Sequence, residues 1–375
     1  MSSVVSIPKT HAPSRRVARR TRASTNYAQA VKAPGPTIAV VVPNWNDARY
    51  LPRSLGSLLA QEVRPDEVII VDDQSTDDSV QVASSYMAGQ AGWRLVRNTV
   101  NQGVSRTLAE GLRVATSEYV LFLASNDFVL PGIFARAKHC LGRQPAGLWS
   151  AMAWMVDEED RLIRLHASPV ISLRDASLSP EECRRLAYRH GNWFTGITLI
   201  FRRDALNAAG GFDPEFGGLT DLLSALVVAS IYGASYSPVP FAAIRIHKGS
   251  HLADTLRDEA VTESILARLR VRGPMLAPNL FSPTFLERTT RRFIFASVRA
   301  RGGDNLATVP GLPSGSSRNL LRIVDQLLPR SWHLGRVAAA FLVLRPFDVL
   351  PSLWNRAFGW LFVRTRHRWP GPPAH

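Results

Sequence analysis

From Thr37 onward, short apolar runs alternate with stretches of helical periodicity, and each run stops at a cluster of polar residues. This alternation is the signature of strands feeding helices that cross back over a parallel sheet. Ile38–Val42 reads as a first buried strand closed by Pro43, and Leu51, Leu55, Leu58 and Leu59 recur at helical spacing. Glu67–Val71 forms a second strand ending at Asp72 and Asp73, Asp77 and Asp78 can cap the next helix, and Trp93–Arg97 makes a third strand. Val104, Leu108, Gly111, Leu112 and Ala115 share one helical face before the strand Tyr119–Leu123. Pro131 suits the first turn of another helix.

The later pattern is mixed. Gly147–Val156 with Arg161–Ile163 resembles an antiparallel hairpin, and Ile197–Phe201 reads as a strand after Gly196. Gly210 and Gly211 close a short helix, and Asp221 opens an apolar one. Beyond His251 strand signals fade into helices joined by the Gly/Pro/Ser-rich linker Gly302–Ser317. The expectation is an α/β fold over residues 37–252, a Rossmann-like mixed sheet flanked by helices, with a helical C-terminal extension over 253–375. Open α/β sheets bind ligands at the carboxyl ends of their strands, where strand order reverses, so the polar clusters there are the ligand contacts to examine.

Composition narrows the partners. The 45 Lys and Arg against 30 Asp and Glu give a formal charge of +15, which favours polyanions or phosphorylated small molecules. Residues 1–36 carry five arginines and no acid, so they are expected to be a disordered basic tail; a transit peptide shares that composition but has no other support. The N-terminal stretch lacks the apolar run of a secretory signal peptide, and two cysteines without metal-ligand spacing fit a reducing, cytoplasmic compartment. Val337–Leu344 is far short of the ~20 residues that cross a bilayer. No Gly-x-Gly-x-x-Gly or P-loop follows a strand, and no helix-turn-helix, RNP or zinc spacing supports nucleic-acid readout.

Five motifs in order, and a further segment after the last strand of the core, resemble glycosyltransferase family 2, the inverting enzymes of GT-A type fold, over about residues 37–250. Val42-Pro43-Asn44-Trp45-Asn46 is similar to the family's Pro-x-Tyr-Asn, and Val71-Asp72-Asp73-Gln74-Ser75-Thr76-Asp77 to its Val-Asp-Asp-Gly-Ser-x-Asp. The resemblance implies that Pro43, Asn44 and Asn46 lie against the nucleotide base and that one of Asp72 and Asp73 reads it; a carboxylate can accept from uracil or ribose by a strong charge-assisted bond. The plain alternative for these acids is to begin the next helix. Asn101-Gln102-Gly103 resembles the segment before the family's third helix, implicating Asn101, Gly103 and Arg106 in diphosphate binding, although a plain helix cap accounts for it equally.

Ala124-Ser125-Asn126-Asp127 stands where the family has Asp-x-Asp-Asp. The resemblance implies a divalent cation, Mg²⁺ or Mn²⁺, held by Asp127 with Asn126 beside the donor, because substrate phosphates and water can complete the octahedron; two of the family's acids are absent. Gly210-Gly211-Phe212-Asp213 followed by Thr220-Asp221 aligns Asp221 with the catalytic base, against a plain capping role. Arg245-Ile246-His247-Lys248 resembles Arg-x-His-x-x-Ser, implying contact of His247 and Lys248 with the diphosphate and of His247 with the metal.

The expected function is therefore transfer of a sugar from a nucleotide-diphosphate sugar to a glycan or lipid-linked acceptor in polysaccharide or glycolipid assembly. Two alternatives are a catalytically silent nucleotide-sugar binder, suggested by Ala124 and Asn126, and a basic membrane- or polyanion-binding protein. Trp332, Trp354, Trp360 and Trp369 interleave with arginines in a mix suited to the anionic cytoplasmic face of a membrane, and equally to helices packed on the catalytic domain.

Overall fold

The first four strands, β1 (Ile38–Asn44), β2 (Glu67–Asp72), β3 (Trp93–Arg97) and β4 (Tyr119–Phe122), lie parallel in the order β3-β2-β1-β4 in the computed structural model. Described residues are 35–246, 256–304, 306, 315–355 and 359–372. β1 and β2 are apolar on both faces because helices cover both sides. Helices α1 (Leu51–Leu59), α2 (Ser79–Met87) and α3 (Val104–Val114) make the crossovers.

Pro43 has no N–H to give to a neighbour, and pairing of β1 with β4 stops at Val41 and Phe122 while pairing with β2 runs on to Asn44 and Asp72. The two strands on either side of β1 belong to chain segments that leave it in opposite directions. That is the switch point at which such sheets bind ligands.

The sheet continues through β5 (Phe128–Val129), β6 (Leu148–Val156), β7 (Leu162–Leu165), β8 (Ala176–Leu178), β9 (Ile200–Arg202) and β10 (Ala234–Arg245), in the full order β3-β2-β1-β4-β9-β6-β10-β5. β9 is antiparallel to β4 and β6, and β6 is parallel to β10, so the carboxyl ends of β1, β2, β3, β4, β6 and β10 share one edge. Helices α4 (Ile133–Arg143), α5 (Pro180–His190), α6 (Arg203–Ala208) and α7 (Thr220–Tyr232) complete this part.

The C-terminal helices are α8 (Glu259–Leu276), α9 (Pro283–Ala300), α10 (Ser316–Leu327), α11 (His333–Leu344), α12 (Val349–Trp354) and α13 (Trp360–Arg366). Leu266, Ile294, Val298, Leu321, Ala340 and Leu344 form their own small core. The described residues from Pro36 onward make one compact unit. The boundary expected at 252 falls outside the described residues, as do the basic tail through residue 34 and most of the linker after Gly302. Among the described residues no helix is long and apolar enough to cross a membrane.

Several local expectations need correction. Ile197–Phe201 is not one strand: Gly196–Thr198 forms a 3-10 turn and β9 starts at Ile200. The Thr198 hydroxyl donates to Ala151 O at 2.8 Å and accepts from Ala151 N at 3.0 Å, which draws the turn onto β6. Val104 is 43% exposed and lies off the apolar face of α3. Pro131 precedes Gly132, whose left-handed φ of 92° starts α4 at Ile133. Asp78 makes no side-chain cap on α2; Asp77 accepts from Ser79 N at 3.0 Å instead. Trp360 and Trp369 pack on the main core, leaving Trp332 and Trp354 on the surface.

Candidate functional site

At the end of β1 the chain turns through Asn46, held at a left-handed φ of 55°. Its side-chain oxygen accepts from Thr76 N at 2.7 Å, and its backbone N–H donates to the Ser75 hydroxyl at 2.9 Å. Asn44 donates to Asp72 Oδ1 at 2.9 Å and to Ser75 at 3.1 Å. Ala48 N donates to Asp77 Oδ2 at 3.0 Å. The two motifs expected at the base therefore meet and hold each other. Between the two asparagines Trp45 stands 56% exposed, an aromatic face at the sheet edge that sequence reasoning passed over as a variant of the family's tyrosine.

Asp73 is almost fully buried. Its carboxylate accepts from Asn98 Nδ2 at 2.7 Å, Gln102 N at 2.9 Å and Gly103 N at 2.8 Å. Burial would raise this acid, yet the hydrogen bonds outweigh it and hold Asp73 below the usual carboxylate range. The amides ahead of α3, expected to cradle a diphosphate with Asn101 and Gly103, thus already face an anion of the protein itself. Gly103 at φ 82° and Asn101, whose N–H donates to Gln74 Oε1 at 2.9 Å, shape the loop, and Arg106 is exposed on the first turn of α3. Asp72, buried as well, accepts from Asn44 and from Ser75 N at 3.2 Å. Both acids are tied into the loops that follow their strand, Asp72 through Asn44 and Ser75 and Asp73 through Asn98, Gln102 and Gly103.

Beyond β4, Ala124–Asp127 forms a turn in which Asp127 N donates to Ala124 O at 3.0 Å. Asp127 Oδ1 accepts the backbone N–H of Arg245 at 2.8 Å, at the end of β10. The Arg245 side chain is only 3% exposed; it donates to Asn126 O at 2.9 Å, pairs with Asp160 at 2.6 Å and lies 4.9 Å from the Tyr50 ring centroid. Arg53 of α1 reaches the other oxygen of Asp160 at 2.8 Å. The acidic β6–β7 turn thereby braces the turn that carries Asn126 and Asp127, a role without any sequence signal beyond the acids themselves.

A carboxylate and an amide oxygen are hard donors, the ligand type of Mg²⁺ or Mn²⁺ rather than of Zn²⁺. Among the described residues no cluster of three or more His, Cys, Asp or Glu could hold a metal unaided. His247 and Lys248 lie outside the described residues.

Asp221 sits in the first turn of α7, one residue after Thr220. The cap position belongs to Leu219 and makes no side-chain bond. Asp221 Oδ1 accepts from Leu222 N at 2.8 Å, and burial pushes its carboxyl up to about 6. Its Oδ2 presses on Gly196, where a Cβ would come within 2.7 Å. Gly196 precedes β9, whose N-terminal end adjoins the carboxyl end of β4. Phe212 of the Gly-Gly-Phe-Asp segment packs edge-on against Phe122 with centroids 4.7 Å apart, tying the approach to α7 to the strand that leads into Asp127. A carboxylate with a raised affinity for protons at a ligand-binding edge has the makings of a general base.

Comparison with known proteins finds a family match over the part of this edge that precedes residue 208. Residues 39–207 match the model described as Glycosyl transferase family 2. An uncharacterized protein of Mycobacterium tuberculosis (strain CDC 1551 / Oshkosh) is 28% identical over 63% of this chain and 74% of its own length. The uncharacterized glycosyltransferase EpsJ of Bacillus subtilis (strain 168) is 23% identical over 46% of this chain, and the alignment spans half of EpsJ. The crystal structure of S. aureus TarS 1-349 in complex with UDP-GlcNAc shares the fold, with a TM-score of 0.55 at 16% identity over 83% of this chain and 90% of that one. The expected GT-A type architecture is borne out.

Proposed function

We propose that the chain, whose residues 39–207 match the Glycosyl transferase family 2 model, is a glycosyltransferase that transfers a sugar from a nucleotide-diphosphate donor to an acceptor hydroxyl with inversion at the anomeric carbon. The observation that carries the reading is the Asp221 carboxylate, raised to about 6 and pressed against Gly196 at the ligand-binding edge.

The nucleotide base lies on Trp45 beside Asn44 and Asn46, with Asn101 and Arg106 on the flank toward α3. Asp72 and Asp73 keep these groups in place. The acceptor oxygen attacks the anomeric carbon as the bond from that carbon to the diphosphate oxygen breaks; the hydroxyl proton passes to Asp221, and the diphosphate leaves with the bonding electrons. Asp127, with Asn126, would hold a divalent cation, which when bound supplies charge neutralisation to the departing diphosphate. His247 and Lys248 are proposed to act on the same group.

The acceptor is proposed to be a glycan or lipid-linked hydroxyl, in polysaccharide or glycolipid assembly; nucleotide-sugar donors are what the name of the TarS complex records for that protein. Ala124 and Asn126, in place of two acids, favour the second reading of a nucleotide-sugar binder without turnover. A panel of nucleotide sugars, tested for binding and for nucleoside diphosphate release with and without Mn²⁺, separates the two. Binding with release that chelation abolishes supports transfer with a metal, binding without release supports the silent reading, and no binding to any donor overturns both.

A further inference from the structure

Several large apolar side chains of the C-terminal helices are exposed. α11 and the segment Pro346–Trp354 meet at a bend of 98°, and neither limb is long enough to cross a bilayer. Leu334 and Leu342 stand out from α11, and Phe347, Leu350 and Trp354 follow at three- and four-residue spacing on the other limb. Phe347 is 76% exposed and Leu350 78%. Large apolar side chains exposed on both limbs of one bend mark an interaction site on a folded protein.

Charge says what covers it. The acids between residues 315 and 372 are Asp325 and Asp348, and both are engaged: Asp325 by Arg336, Asp348 by Arg292 at 2.8 Å and Arg345 at 2.8 Å. Arg322, Arg330, Arg364, Arg366 and Arg368, on α10, on α13 and in the segments that follow them, are exposed. At the bend itself a cavity of about 320 Å³ opens between α9 and the α11 corner, lined by Arg288, Arg291, Arg292 and Arg345 against the carboxylates of Asp348 and Glu287, a formal excess of two positive charges. Phe347 belongs to the same wall and lies 5.4 Å from the Arg288 guanidinium, so the cationic cavity and the apolar corner are continuous.

We infer that the corner formed by α11 and α12 docks on an anionic lipid surface, with Phe347 and Leu350 entering the acyl boundary and the arginine cavity receiving a lipid phosphate. Apolar side chains beside cations suit an interface in which tails lie next to phosphates. A soluble phosphate compound would satisfy the arginines but leave the apolar corner in water. The inference is independent of the sugar-transfer reading, because vesicle binding needs no donor.

Sedimentation of the full chain with vesicles of phosphatidylcholine alone, and of phosphatidylcholine with phosphatidylglycerol, tests it. The wild-type chain is expected on the anionic vesicles, and the Phe347→Asp, Leu350→Asp double variant to bind them at least about tenfold more weakly. Both side chains are exposed, so its thermal melt should match the wild type. Arg288→Gln with Arg291→Gln is expected to lose roughly tenfold of the anionic binding. Equal binding by the Phe347 and Leu350 variant would overturn the inference, since the basic tail alone would then account for the charge effect. It would equally fail if inorganic phosphate raised the melting temperature through these arginines while anionic vesicles were not bound. It would also fail if light scattering showed the double substitution splitting a dimer with vesicle binding unchanged.

Discussion

Replacing Asp221 by Asn should stabilise the protein while disabling it, and the two effects have one physical cause. Burial raises this carboxyl from the ordinary 3.8 to about 6, so between these values the native state binds more protons than the unfolded chain. Stability therefore falls as the pH rises through that window, and above about 6 the folded protein carries the full cost of an ionised, partly buried carboxylate. At about 1.4 kcal/mol per pH unit the shift of roughly two units corresponds to ~3 kcal/mol, to be discounted toward ~1 kcal/mol because solvent reaches part of the residue. An asparagine fills the same space, still accepts from Leu222 N and never ionises. Thermal melts at pH 4 and pH 8 should show no gain for Asp221→Asn at the lower pH and a gain of about 1–3 kcal/mol, a few degrees, at the higher. Donor release by the variant should fall by about 10²–10⁴, the usual share of a general base, with donor binding retained. The wild-type rate should climb with pH through about 6 and then level. A variant less stable than the wild type at pH 8, or a rate profile with its limb near pH 4, would refute the argument.

Gly196→Ala places a methyl 2.7 Å from Asp221 Oδ2; turnover should drop at least about tenfold with donor affinity kept, as read by single-turnover kinetics and calorimetry. Asp73→Ala removes the shared partner of Asn98, Gln102 and Gly103 and should cost about 1–3 kcal/mol in a denaturant melt, because three hydrogen bonds to one buried carboxylate are lost together. Trp45→Ala should leave the melt unchanged and weaken donor binding about tenfold if the base stacks there, measured by calorimetry with the free nucleoside diphosphate.

Much of the parallel half was legible because its signals are local. Buried strands such as Ile38–Val42 and helices such as α1 advertise themselves by period, and Pro43, Asp72 and Asp73 mark where strands stop. The part that was not legible depends on contacts far apart in sequence. Nothing near Ile197 announces that Thr198 will bond to Ala151 and break the strand into a turn. Nor does the Asp-Asp pair declare that one carboxylate will take the amides of a loop thirty residues away. The brace of Arg245, Asp160 and Arg53 joins three distant segments, and although Arg245 opens a motif, nothing in that motif points to Asp160 or Arg53. In the tail, composition alone placed all four tryptophans alike, whereas packing buries part of Trp360 and Trp369 against the core and leaves Trp332 and Trp354 outside.

The central claim is a single in-line displacement assisted by Asp221, and the configuration of the first sugar released tests it most directly. With an α-linked nucleotide-sugar donor from the panel and water as acceptor, time-resolved proton NMR should show the β-anomer of the free sugar appearing first, before mutarotation mixes the two, and should show release by the Asp221→Asn protein slowed by at least about a hundredfold. First appearance of the α-anomer, or unchanged release by the variant, would contradict the account.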